Sequence, residues 1–173
     1  YTNLGYAIAD KCIGVIDGRS WADFVREEIL LPLGMQRSFL HSSEMGTRDN
    51  ISAAHSIVGG RMVVIPRVHN DNIGASASIW SSVSEMRHWV QMQLNNGALD
   101  GKEVIPLEVI ARTREPQTIL GAYPHRFNKR NFMLYGLGWF LEDYESRLIV
   151  SHTGGVDGFV SAVTLVPEKD LGI

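Results

Sequence analysis

The chain holds a single cysteine, Cys12, so no disulfide can form within it and no cysteine-rich zinc knuckle is possible. One thiol leaves the redox compartment open. No apolar run approaches the roughly 20 residues of a bilayer-spanning helix. No basic block occurs either. The 16 Lys and Arg against 19 Asp and Glu leave a net charge of −3, which argues against nucleic acid or an anionic membrane as a partner. The histidines, at positions 41, 55, 69, 88, 125 and 152, are scattered, none paired as in His-Glu-x-x-His. No metal and no other cofactor is therefore expected. Internal repeats and low-complexity tracts are absent. The chain opens on Tyr1 rather than Met, and Leu171-Gly172-Ile173 reads as the first residues of a strand, so both ends read as cut. Against these absences stand 173 residues with 45% hydrophobic and 20% charged content. That is ordinary for a globular protein and enough for one domain with a core, or two small lobes.

Hydrophobic periodicity changes along the chain. Leu4, Ile8, Cys12, Val15 and Ile16 share one helical face with Gly18 as the cap beyond it, and Cys12 reads as a small core residue on that face. Ser20 fits the N-cap of a second helix with Trp21, Phe24, Val25 and Ile29 as its buried stripe, ended by Pro32 and Gly34. Residues 36–60 read as loop and short turns, and residues 61–66 as a short strand closed by proline. Ser82-Val83-Ser84-Glu85 is a capping box ahead of a helix carrying Met86, Trp89, Val90 and Leu94. Asp100-Gly101 predicts a tight turn, and Pro106 the first turn of a helix reaching about Arg114. Residues 115–131 read as irregular, with His125-Arg126 and Lys129-Arg130 on a solvated loop. From Gly136 the pattern turns to strand at residues 138–141, 147–150 and 159–167, with a hairpin turn over residues 143–146. The expected class is α+β, with a mostly helical lobe over residues 1–135 and antiparallel strands over residues 136–173.

Two short motifs carry chemistry. His152-Thr153-Gly154 lies in the small-residue stretch from Ser151 to Phe159, which reads as a loop hung between strands. An imidazole beside a hydroxyl and a glycine can bond a substrate carboxylate or carbonyl, and the glycine lets substrate backbone approach. A backbone N–H just beyond can face a developing oxyanion. The same residues also suit a plain turn with a solvated histidine. Tyr1-Thr2-Asn3 stands at a helix start, where a phenol can move a proton and an Asn amide can orient a substrate. Its plainer reading is an N-cap at Asn3 and a frayed Tyr1. Gly74-Ala75-Ser76-Ala77-Ser78 lacks the last glycine and the preceding strand of a nucleophile elbow. Gly154-Gly155-x-x-Gly158 precedes no helix pattern, so it is not a dinucleotide loop.

Together the two motifs resemble those of the serine β-lactamase and penicillin-binding-protein family, most of all its class C, esterase and D-aminopeptidase branch. That family runs Ser-x-x-Lys, Tyr-x-Asn, then Lys/His-Thr/Ser-Gly. Three further stretches are similar to it: Tyr1-Thr2-Asn3-Leu4-Gly5-Tyr6, Leu31-Pro32-Leu33-Gly34-Met35, and Ile79-Trp80-Ser81-Ser82-Val83-Ser84-Glu85-Met86. His152-Thr153-Gly154-Gly155 followed by Gly158-Phe159 matches its strand-end motif. The resemblance implies a β-lactamase/transpeptidase-like fold and a serine hydrolase acting on an ester, amide or peptide through an acyl-enzyme. It implies proton transfer by Tyr1, substrate orientation by Asn3, and His152 in the Lys/His position. Thr153 and Gly154 would line the substrate channel, and the Gly155 N–H would supply half of the oxyanion hole. Histidine in place of lysine at position 152 is more like the esterase and peptidase members. A periplasmic or extracellular location follows from the resemblance alone.

The departure is at the nucleophile. The four lysines, Lys11, Lys102, Lys129 and Lys169, follow Ile8, Leu99, Arg126 and Val166 at three residues' distance, so Ser-x-x-Lys is absent. In the family that element precedes Tyr-x-Asn. The expectation is a fragment lacking the N-terminal part of its own domain, with a non-catalytic peptide- or cell-wall-binding sensor of the same fold as the alternative. The purified 173-residue chain is expected to leave nitrocefin and chromogenic esters intact in a spectrophotometric assay; normal turnover would show that the nucleophile has been misread.

Overall fold

A hydroxyl starts the first helix. Thr2 Oγ1 accepts from the Leu4 N–H at 3.3 Å, and α1 (Asn3–Ile16) runs to Asp17 and the left-handed Gly18, φ +89°. Ser20 caps α2 (Trp21–Val25) by accepting from the Asp23 N–H at 3.1 Å. A π-helical turn, Arg26–Leu30, continues it. A hairpin, β1 (Ala54–Val58) with β2 (Arg61–Ile65), follows, closed by Gly59 and Gly60 at φ +57° and +77°. The short α3 (Gly74–Ala77) comes next. The computed structural model describes residues 2–121 and 130–173. It forms two compact units, Tyr1–Glu85 with Gly154–Ser161, and Met86–Thr153 with Ala162–Ile173.

Three expectations for the first unit are corrected. Residues 36–60 are not all loop, since β1 lies within them; its five residues carry no alternation and become a strand only by pairing with β2. The apolar stripe of α1 is not buried. Leu4, Ile8, Val15 and Ile16 are 58–85% exposed and Cys12 is exposed, so Cys12 is no core residue. The half-buried positions are instead Tyr6, Ala7, Asp10 and Ile13, because periodicity reveals an apolar face but not which face the neighbours cover. Only half of the capping box forms: Ser82 Oγ accepts from the Glu85 N–H at 3.3 Å, whereas the Glu85 carboxylate turns inward to the Arg37 N–H at 2.7 Å and the Ser38 hydroxyl at 2.6 Å. Trp21, Ala22, Val25 and Leu30 form the buried stripe, with Phe24 and Ile29 half-buried.

The later elements are α4 (Val83–Leu94), β3 (Ala98–Leu99), β4 (Lys102–Glu103), α5 (Leu107–Thr113), β5 (Thr118–Gly121) and β6 (Met133–Tyr135). They are followed by β7 (Phe140–Tyr144), β8 (Arg147–Val156), β9 (Phe159–Val166) and β10 (Leu171–Gly172). Strands β10-β9-β8-β7-β6-β5 lie side by side in that order, each next to its neighbour in sequence. Asp100 and Gly101, both at positive φ, make the tight turn between β3 and β4. Residues 115–131 are not wholly irregular, because β5 pairs with β6 across them; His125, Arg126 and Lys129 lie outside the described residues. Arg130 is not solvated but half-buried against Glu142 at 2.9 Å. The stretch from Ser151 is strand rather than loop, reduced to a turn at Asp157 and Gly158.

The core of the second unit is Trp139, Leu141, Val150 and Leu165, packed by Trp89, Val90 and Leu94 of α4 and by Leu134, Leu148 and Val163. The β7–β8 turn is Glu145-Ser146, at φ +47° and +64°. Asp143 belongs to β7, where it is buried and accepts from the Asn131 and Phe132 N–H groups at 2.6 and 3.2 Å and from the Asn131 amide. Burial raises its pKa, but those hydrogen bonds outweigh it and hold the carboxyl below its ordinary 3.8. A depressed folded-state pKa stabilises above the unfolded value and loses that contribution as pH falls through the folded one. Asp143→Asn is therefore expected to be less stable than wild type at neutral pH, and to lose less stability on acidification below about pH 4. Urea midpoints at neutral and acid pH measure both, and parallel pH profiles for the two proteins would refute the assignment.

Candidate active site

Strand β8 presents His152, Thr153, Gly154 and Gly155 in succession, on backbone that is exposed from Thr153 to Gly155. His152 belongs to the second unit. Its Nδ1 lies 2.7 Å from the Thr153 carbonyl oxygen and its Nε2 3.0 Å from the Tyr135 hydroxyl. The ring stands 5.2 Å from Phe140 and 5.9 Å from Tyr135, centroid to centroid. Tyr135 is buried, set edge-on to Phe140 at 5.0 Å. Sequence reading missed Tyr135 and Phe140. Their only local signal is an aromatic at each end of the Gly136-Leu137-Gly138-Trp139 stretch, and cross-strand pairing of Tyr135 with Phe140, and of Phe140 with Ser151, brings them to His152.

Gly154 and Gly155 belong to the first unit. A Cβ on Gly154 would come within 2.6 Å of the Ser161 hydroxyl oxygen, so a side chain there would crowd β9; a Cβ on Gly155 would meet nothing within 4 Å. Gly158 turns the chain at φ +83°, where a Cβ would meet Ala54 Cβ at 2.6 Å and the His55 nitrogen at 2.8 Å. The His55 N–H donates to the Gly158 carbonyl at 3.4 Å, which ties β1 to this turn. His55, Val156, Gly158, Phe159 and Val160 line an open groove of about 240 Å³ beginning one residue past Gly155. Trp80 meets Phe159 edge-on at 5.4 Å and stacks on Phe39 at 5.9 Å.

Tyr1 lies outside the described residues. Asn3 is the first residue of α1 and exposed; the cap is Thr2, so Asn3 is not the N-cap. Of the elbow-like stretch, the Ser76 hydroxyl donates to the Ile73 carbonyl and the Ser78 hydroxyl to the carbonyls of Leu40 and Gly74, as in-place structural bonds. Among the described residues no group of three or more His, Cys, Asp or Glu could hold a metal ion, and no helix is long and apolar enough to cross a membrane.

Comparison with known proteins gives the class. The profile of the Beta-lactamase family matches residues 1–173, and the chain belongs to that family. It is 25% identical over 183 residues to penicillin-binding protein 4 of Amycolatopsis lactamdurans, covering 96% of this chain and 44% of that protein. Protein flp of Staphylococcus aureus is also 25% identical, over 174 residues, 100% of this chain and 32% of the relative. The chain thus spans less than half the length of these relatives. An octameric penicillin-binding protein homologue from Pyrococcus abyssi superposes with a TM-score of 0.81 at 23% identity, over 99% of this chain and 36% of that one. A β-lactamase/D-alanine carboxypeptidase from Yersinia pestis gives 0.68 at 26% identity, over 99% and 47%. The fold is the β-lactamase/transpeptidase-like α+β arrangement.

Gly158 and Gly155 separate steric need from open space. Gly158→Ala is expected to cost about 1–2 kcal/mol from the left-handed conformation alone, with the contact on β1 adding to it. Gly155→Ala should stay within about 0.5 kcal/mol of wild type. Chemical denaturation of the two variants reads the difference, and equal losses would contradict the packing described for Gly158.

Proposed function

We propose that this chain is the substrate-side part of a serine hydrolase that cleaves an ester, amide or peptide through an acyl-enzyme. A serine attacks the carbonyl, the lysine of its Ser-x-x-Lys motif and Tyr1 carry the proton, and water releases the acyl group. Serine and lysine belong to a segment preceding Tyr1 in the parent protein. Asn3 orients the substrate amide, Thr153 and Gly154 line its path, and His152 takes the Lys/His position that the resemblance of its motif implies. The Gly155 N–H and the nucleophile's own N–H hold the oxyanion. The observation that carries this reading is the exposed β8 backbone at Gly154 and Gly155, directly after His152-Thr153, in a chain matched to the Beta-lactamase family along its whole length. The groove past Gly155, lined by Val156, Phe159 and Val160 together with His55, suits the acyl or side-chain group of the substrate.

The test uses the full-length protein and a fluorescent fluorophosphonate. Covalent labelling of one serine N-terminal to Tyr1, mapped by peptide mass spectrometry and abolished when that serine is changed to alanine, is the expected result. A full-length protein that stays unlabelled and hydrolyses no ester, while still binding cell-wall peptides, would instead identify a binding or sensor domain.

A further inference from the structure

The pairing of Tyr135 with His152 has a chemical consequence that the motif itself does not contain. A carbonyl oxygen only accepts hydrogen bonds, so the His152 Nδ1, 2.7 Å from the Thr153 carbonyl, carries a proton and donates. In the neutral ring Nε2 then bears the lone pair, and the group facing it at 3.0 Å is the Tyr135 hydroxyl, which can donate. The ring plane is held as well, between Phe140 at 5.2 Å and Tyr135 at 5.9 Å. Tyr135 has little freedom to turn away, being 9% exposed and edge-on to Phe140. Its backbone is pinned on both sides: β6 pairs with β7 at Tyr135 and Phe140 and with β5 at Tyr135 and Thr118, and the Gln117 N–H donates to the Tyr135 carbonyl at 2.8 Å.

We propose that Tyr135 is a positioning residue that fixes the tautomer and orientation of His152, holding it as the Nδ1–H imidazole with Nε2 as acceptor. A lysine at this position would be a point cation with three donors. In the Nδ1–H form the histidine carries no charge and both its nitrogens are engaged, by Thr153 and by Tyr135, so the site suits esters and neutral amides more than a free carboxylate. That last consequence rests on the function proposed above; the tautomer assignment does not.

The experiment is a long-range proton–nitrogen NMR spectrum of the full-length protein labelled with ¹⁵N-histidine, recorded well above the ordinary imidazole pKa of about 6.5. Wild type is expected to show the Nδ1–H pattern for His152. Tyr135→Phe keeps the ring packing and should convert His152 to a mixture or to the Nε2–H form, with kcat for phenyl acetate falling at least about 10-fold and KM little changed. Nε2–H in the wild type overturns the assignment, and an unchanged tautomer in Tyr135→Phe overturns the part given to Tyr135. A changed tautomer with unchanged kcat overturns the positioning role. No hydrolysis by wild type, with the Nδ1–H pattern present and lost in Tyr135→Phe, counts against the proposed function while upholding the assignment. The wild-type spectrum needs no variant and so decides the tautomer even if Tyr135→Phe fails to fold.

Discussion

The contact of α4 with the sheet is the constraint on which the second unit depends. Val150 and Leu165 are fully buried beneath Trp89, Val90 and Leu94. Full burial of such side chains contributes about 1.5–3 kcal/mol each. The fit is close enough to dictate a residue that touches nothing chemical. Gly172 on β10 has no side chain because a Cβ there would run into Val90, and would stand 3.2 Å from Leu165 and 3.3 Å from Leu94. Gly97 ends α4 at φ +100° with a Cβ direction blocked by the Ile105 carbonyl, while its own carbonyl accepts from the Ile105 N–H at 3.0 Å. These contacts hold β7 and β8 in register, and that register places Phe140 opposite Ser151 and beside His152.

The first unit is organised around a polar group. Glu85 is 8% exposed, and a buried carboxylate is costly unless hydrogen-bonded. It accepts from the Arg37 N–H and the Ser38 hydroxyl, and Ser38 Oγ also lies 2.7 Å from Ser81 Oγ. The next residue, Phe39, exchanges backbone hydrogen bonds with Trp80 at 3.0 and 2.9 Å and stacks on its ring. Trp80 in turn braces Phe159, directly after the Gly158 turn that His55 secures. The turn that follows Gly155 is therefore held from two sides, through aromatic packing and through β1. A glycine-rich strand end gains definition from its neighbours in this way, since its own side chains supply none.

Which features were legible in the sequence follows from their range. The Ser20 cap, the Gly18 terminus, the Asp100-Gly101 turn and the extent of α4 depend on residues within a few positions of one another, and they stand where the sequence placed them. Strands β1, β5 and β6 were missed because three to five residues acquire strand character only from a partner. The α1 stripe was read correctly as apolar and wrongly as buried, since composition does not say what lies opposite a face. Glu85 was read as half of a capping box, a local bond; a distant pair of donors at Arg37 and Ser38 outcompeted it.

By itself the sequence determined the local signals and their order: Tyr-x-Asn at a helix start, His-Thr-Gly-Gly near the end, glycines where the chain must turn, and the family those stretches indicate. Only the tertiary structure decided that the His152 stretch is strand, that Glu85 faces inward, and that Tyr135, 17 residues away in the chain, is the partner of His152 Nε2. The physical reason is that helix caps and turns are closed by neighbours along the backbone, whereas cross-strand partners are chosen by sheet order and register. Those in turn follow from which apolar faces bury one another.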